Sequence, residues 1–185
     1  MNVEGILDNN NSNIKENSTS AFLEYARSFG KLQAQLGVRY EHLSSDYYED
    51  GRYMDEQSRT YDNFYPNASF AAVAGPFQFL LNYSAKTTRP HYSYLSNSLI
   101  YIDRYSMQQG NPLLRPEMNH DVSLAAVWKF VQVGISYQTV KNAILETATA
   151  QKGTDNAILI YHDNFYKNIP TMQVMVAATP TIGIW

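Results

Sequence analysis

The sequence predicts an all-β protein, a partial antiparallel up-and-down transmembrane β-barrel of about seven to eight strands. Three observations lead there. Apolar and polar residues alternate along several segments of about ten residues, giving each segment one apolar and one wet face. The connections between these segments alternate strictly between very short and long. No window approaches the ~18 consecutive apolar residues of a membrane helix, which excludes a helical span but not strands, whose signal is alternation without a net apolar run.

The elements follow in order. Residues 1–18 are expected to be irregular, because Asp8-Asn9-Asn10-Asn11-Ser12-Asn13 is rich in turn formers. The first eight residues lack the basic and apolar regions of a secretory signal peptide, so export would need a leader outside this sequence. The barrel is placed over 19–185. Its first strand, 19–29, alternates imperfectly, with Glu24 and Arg27 on opposite faces, and Gly30-Lys31 is a hairpin connection. The second strand, 32–43, sets Leu32, Ala34, Leu36, Val38 and Tyr40 against Gln33, Gln35, Gly37, Arg39 and Glu41. Full charges on that wet face would be intolerable, unpaired, in a packed core.

An acidic and tyrosine-rich connection is expected over 44–63, then a third strand over 64–73 and a tight turn at Gly75-Pro76. The fourth strand, 77–88, places Phe77, Phe79, Leu81, Tyr83 and Ala85 opposite Gln78, Asn82, Ser84 and Lys86. A long polar-aromatic loop is expected over 89–119. The fifth strand, 121–129, carries Val122, Leu124, Ala126 and Trp128 on one side, and a minimal turn at Lys129-Phe130 leads into a sixth over 131–146. After a long connection over 147–156, residues 157–178 are read as one long bulged strand, in which Pro170 must occupy an edge, a bulge or a break. The closing fragment 182–185 is too short to cross a membrane at about 9–11 residues per strand, so Trp185 reads as a strand residue.

Composition narrows the function classes. Charged residues make up 17% of the 185, below the roughly 25% of soluble domains, while fifteen Tyr and eight Phe supply amphipathic rings suited to a water–apolar boundary. A net charge of −3 offers no basic field, so no nucleic-acid partner is expected. The absence of cysteine removes disulfides, thiolate metal sites and Cys nucleophiles. His42, His91, His120 and His162 show no ligand spacing, and Asp46, Glu49, Asp50, Asp55 and Glu56 lack the order of a calcium loop. Neither a metal, another cofactor nor an enzyme activity is therefore expected. Tyr92, Tyr94, Tyr101 and Tyr105, with Arg104, make the long loop a candidate surface for stacking on sugars or aromatic solutes, or else a self-packed loop. A soluble or surface-exposed β-sheet carbohydrate-binding module shows the same alternation and is the alternative reading, but gives no reason for long loops at one end only.

Three ordered landmarks carry a family resemblance. They are Leu36-Gly37-Val38-Arg39-Tyr40-Glu41, Phe64-Tyr65-Pro66, and the stretch from Arg89-Pro90 to Gly110-Asn111-Pro112-Leu113-Leu114-Arg115-Pro116-Glu117. Over about 21–185 the chain resembles the C-terminal barrel of TonB-dependent receptors, in particular the outer-membrane barrel family common in Bacteroidetes. The resemblance implies an outer-membrane location, a larger parent barrel, and partners in the surrounding lipid, a plug domain, the TonB system and an unknown small solute. It also implies that the Asn-Pro signature lies on the extracellular side. Arg39, Glu41, Asn82 and Lys86 would then line the lumen. Pro112 and Pro116 would stop the loop from extending the strand ladder, and Glu117 would anchor it to backbone donors.

Overall fold

The computed structural model describes residues 11–103, 105–150 and 157–180. In chain order these form β1 (Ser12–Phe29), β2 (Leu32–Glu49), β3 (Arg52–Tyr53), β4 (Arg59–Ala74), β5 (Phe77–Thr88) and a one-turn helix α1 (Tyr92–Leu95). They continue as β6 (Leu99–Tyr101), β7 (Ser106–Gln109), β8 (Glu117–Trp128), β9 (Val131–Lys141), β10 (Ala143–Ala150), β11 (Ile158–Phe165) and β12 (Ile169–Ala178).

Seven long strands build one antiparallel sheet in the order β1-β2-β4-β5-β8-β9-β12, with β3 attached to β2. Chain order is kept throughout, as in an up-and-down barrel wall, and among the described residues the sheet is open, with β1 and β12 at its edges. Pro170 lies on β12, an edge strand, where its missing N–H leaves one fewer ladder bond to satisfy.

Register turns the alternation of single strands into continuous rows. One row runs Tyr25, Leu36, Ala68, Tyr83, Val122, Tyr137, Met172, and the next Arg27, Ala34, Phe70, Leu81, Leu124, Ile135, Val174. A third runs Phe29, Leu32, Ala72, Phe79, Ala126, Val133, Val176. The protein leaves this face uncovered: Leu81, Leu124, Ile135 and Val174 are 40%, 46%, 42% and 63% exposed. An apolar surface seven strands wide is far larger than the patches water-soluble monomers display, and a lipid environment satisfies it. The opposite face reads Ala26, Gln35, Ser69, Asn82, Ser123, Ser136, Gln173 along one row and Glu24, Gly37, Asn67, Ser84, Asp121, Gln138, Thr171 along the next.

Aromatic rings mark both margins of the apolar band. Phe77 stacks on Phe79 and Trp128 at the short-turn rim, with centroids 6.2 and 6.3 Å apart. Tyr40 leans on Phe64 at 5.1 Å near the other margin and donates its hydroxyl to Asp62 Oδ1 at 2.6 Å, the ring in the apolar band and the tip in water. At the short rim Gly30, Gly75 and Lys129 open two-residue turns with φ of 61°, 59° and 53°. Lysine is an unfavourable occupant of that conformation, which glycine adopts without strain.

Several expected boundaries move. β1 begins at Ser12, not 19, because β2 extends to Glu49 and supplies partners for residues 12–18; residues 1–10 lie outside the described ones. The connection expected over 44–63 contracts to 50–58: Asp50 and Gly51, with φ of 48° and 77°, make a primed hairpin turn that folds β3 back onto β2. The expected structureless 89–119 contains α1, β6 and β7, and β8 starts at Glu117. The sixth strand breaks at Asn142 (φ 54°), which redirects β10 out of the main sheet. The single strand expected over 157–178 is two, β11 and β12, in different sheets. Residues 151–156 and 181–185, including Trp185, lie outside the described residues.

A second sheet results, in the order β10-β11-β7-β6. Its strands all belong to the two longest connections of the long-connection rim, 89–116 and 142–168. Here β7 pairs with β11 in parallel, which joins the two connections to each other.

Candidate functional site: the outer rim

Two groups of residues organise the long-connection rim. The first is the signature segment at 110–117. Gly110 packs its backbone so closely on the α1 region that a Cβ would lie 2.0 Å from Ser96 O and 2.8 Å from Tyr94 O. The next residue, Asn111, donates its N–H to Tyr94 O at 2.5 Å and its side-chain Nδ2 to His162 O at 3.2 Å, while its Oδ1 accepts from Leu113 N at 3.0 Å. Pro112 follows in the turn that this acceptance closes. At the far end Pro116 immediately precedes β8, and Glu117 Oε1 accepts from Ile144 N at 2.6 Å, at the start of β10. The segment thus ties α1, β8, β10 and β11 together.

Asn164 completes that clamp and had no sequence signal of its own. Its buried carboxamide pairs with Arg115 as another strand would, Oδ1 accepting from Arg115 N at 2.7 Å and Nδ2 donating to Arg115 O at 2.9 Å. Nδ2 also donates to Asn142 O at 2.8 Å. Tyr94 stacks on His162 with centroids 3.7 Å apart, so both belong to this packing.

The second group is an ion network on the polar face where the main sheet meets the loops. Glu41, its side chain only 6% exposed, accepts from Ser18 Oγ at 2.7 Å and Arg89 Nη2 at 2.6 Å, with Arg39 Nη2 3.5 Å away. Arg89 Nη1 also reaches Glu16 Oε2 at 3.2 Å. Tyr92 donates to the same Glu16 oxygen at 3.0 Å, and that carboxylate holds the Tyr92 phenol above its ordinary pKa. Pro90 keeps Arg89 extended, at the point where β5 has ended. Beneath the network lies a cavity of about 500 Å³ with Arg39, Glu41, Tyr65, Asn67, Lys86 and Arg89 in its wall. Lys86 Nζ pairs with Asp121 Oδ2 at 3.5 Å, and Asn82 accepts from Ser69 Oγ at 2.9 Å on the same face. The register therefore brings Arg39, Glu41, Asn82 and Lys86 to one face. Glu16 and Ser18 escaped sequence reading because they fell in the segment expected to be irregular.

The loop tyrosines are not one cluster. Tyr92 belongs to the ion network and Tyr94 to the clamp, while Tyr101 lies on β6 and Tyr105 in the β6–β7 connection, where its carbonyl accepts from Ile158 N at 2.8 Å. Arg104 lies outside the described residues. Asp103 accepts from Tyr105 N at 2.7 Å; a hydrogen bond from the Ser106 side chain and then this one hold its carboxyl below the ordinary range. The histidines are dispersed: His42 pairs with Asp62 at 2.8 Å, His91 caps α1, His120 meets Tyr83 OH at 3.1 Å and His162 stacks on Tyr94. Among the described residues no group of three His, Asp or Glu could hold a metal.

A family model described as the outer membrane protein beta-barrel family matches residues 3–185. The chain belongs to that family. Membership places it in the outer membrane and agrees with the uncovered apolar face. Among solved structures, the Serratia marcescens hemophore receptor, a double mutant in complex with its hemophore and heme, is similar at a TM-score of 0.66 with 12% identity. That match covers 87% of this chain and 31% of the receptor. A ferric enterobactin receptor mutant of Pseudomonas aeruginosa is similar at 0.56 with 17% identity, over 87% of this chain and 24% of that one. The siderophore receptor of Acinetobacter baumannii matches at 0.55 with 14% identity, over 88% and 26%. This member of the outer membrane protein beta-barrel family thus shares the barrel fold of these receptors and spans 24–31% of their length. No curated protein sequence matches it.

Proposed function

We propose that this chain is a segment of the wall and outer loops of a TonB-dependent-receptor-like barrel, whose full gene product takes up a small solute past a plug domain. The carrying observation is the division of the rim. The main sheet presents lipid-facing apolar rows on one side, and on the other a polar face that ends in the Arg39–Glu41–Arg89–Glu16 network. Such a face suits a plug or a passing solute, because exposed cations beside partly neutralised carboxylates pair readily with polar groups that enter the lumen. The second sheet stands above it as an outer platform. Energy supply by the TonB system and the extracellular position of the loops belong to the same proposal.

The test is growth of a host lacking the full gene, set beside a host lacking its TonB protein, on a panel of ferric siderophores, heme and oligosaccharides as limiting nutrients. The proposal expects at least one nutrient on which both strains fail and on which the restored gene rescues the first. Should no nutrient depend on both genes, the uptake reading is wrong.

A further inference from the structure

A second cavity, of about 520 Å³, lies on the outer platform, away from the ion network. It opens where β7, β10 and β11 meet the signature segment and the β3–β4 connection, and its volume is within the range of small-molecule sites, about 300–1,000 Å³. Among the described residues no charged side chain lines it. The polar part of the wall is Gln57, Asn97, Gln109, Asn111, Thr149 and Tyr161, and the rest is Gly110, Pro112, Leu113 and Leu159.

We infer that this cavity is a binding subsite for a neutral polyhydroxylated solute, a mono- or disaccharide. The inference rests on the uptake reading above and names its solute class. Each carboxamide both donates and accepts, as each sugar hydroxyl does, so a wall of amides and hydroxyls matches a polyol without a counter-charge. A ferric siderophore or heme would bring anionic groups into a wall that offers, among the described residues, no cation to meet them. Tyr161 with Leu113 and Leu159 supplies apolar surface for the C–H face of a sugar ring. Not all of the polar groups are committed to the fold. Asn111 is spent on His162 O and Leu113 N, and Gln109 Nε2 on Asn97 Oδ1 at 3.1 Å. Gln57 Oε1, by contrast, is withdrawn from solvent and meets no donor among the described residues. A shielded acceptor without a donor is costly, and a small turn of that carboxamide toward a ligand hydroxyl removes the cost.

The experiment is calorimetric titration of the full gene product in outer-membrane vesicles with glucose, maltose, cellobiose and lactose, with ferric citrate as the charged comparator. At least one saccharide should bind saturably. Gln57→Ala and Gln109→Ala should each weaken it about tenfold, one lost hydrogen bond of about 1.4 kcal/mol, while Lys31→Ala on the short-turn rim leaves it unchanged. Absence of saccharide binding up to about 10 mM, tenfold above the weakest ordinary enzyme KM of about 1 mM, equal binding by the Gln57 variant, or ferric citrate binding that Gln57→Ala abolishes would each overturn the inference. Vesicles supply no energized transport. Retained sugar binding without uptake in cells therefore sinks the transport reading alone, and uptake without sugar binding sinks this one alone.

Discussion

Replacing Leu81 with arginine tests the face assignment at its most sensitive point. On β5 the outward residues are Phe77, Phe79, Leu81, Tyr83 and Ala85, so Leu81 is the third of five rows, about 13 Å along the strand from Phe77 at 3.3 Å per residue. It faces Phe70 and Leu124 across its neighbours, and 40% of it is left for lipid to cover. Arginine at a bilayer midplane costs a barrel about 2–4 kcal/mol, which lowers the folded-to-unfolded ratio roughly 30- to 900-fold. The adjacent Asn82 points the other way, toward Ser69 and Ser123, and Asn82→Arg forfeits the Ser69 hydrogen bond, about 1 kcal/mol. Guanidinium unfolding of the full gene product in phosphatidylcholine vesicles, followed by tryptophan fluorescence, measures both. Wild-type stability in Leu81→Arg together with collapse in Asn82→Arg would show that the faces are inverted and refute the reasoning.

Three further perturbations address the rim. Gly110→Ala drives a methyl group into the Ser96 carbonyl and should cost about 1–3 kcal/mol locally; protease nicking between residues 89 and 116 in intact cells should rise, and unchanged nicking would count against the clamp. Asn164→Ala leaves the Arg115 and Asn142 backbone groups without partners, about 1–3 kcal/mol for each buried group. The Arg115 amide should then exchange hydrogen at least tenfold faster by mass spectrometry. Arg89→Ala removes the shorter of the two Glu41 ion pairs, leaving Ser18 and Arg39 beside the carboxylate, and should destabilise by about 1 kcal/mol, whereas adding Glu41→Gln should restore most of it; an unfolding series in which the double variant is no better than the single would show that the pair is not coupled.

The membrane-spanning half of the fold was legible because alternation has a period of two and persists for about seven to ten residues on β2, β5, β8 and β9. The loop sheet was not. β6 and β7 are three and four residues long, too short to show a period, and the pairing of β7 with β11 joins segments about fifty residues apart. The break at Asn142 was silent, since asparagine tolerates positive φ without announcing it, whereas the break between β11 and β12 was signalled by Pro170 but read as a bulge within one strand. At the site, the segment 110–117 stood out by its glycine and prolines, and Arg39, Glu41, Asn82 and Lys86 by parity alone. Asn164, an ordinary residue in sequence, acquires its importance only when the chain brings it to Arg115. For the aromatic loop, tyrosine density left a stacking surface and a self-packed loop equally open, and the fold distributes those rings among the ion network, the clamp and the second sheet.

These 185 residues contain no cysteine, which allows the most direct test of the whole account in the full gene product with any cysteine elsewhere replaced by serine. Single cysteines are placed by Glu56→Cys at the long-connection rim and by Lys31→Cys at the short-turn rim, and intact cells are treated with a membrane-impermeant maleimide. The account predicts labelling at residue 56 in intact cells and at residue 31 only after the outer membrane is permeabilised. Labelling at residue 31 alone in intact cells would contradict it.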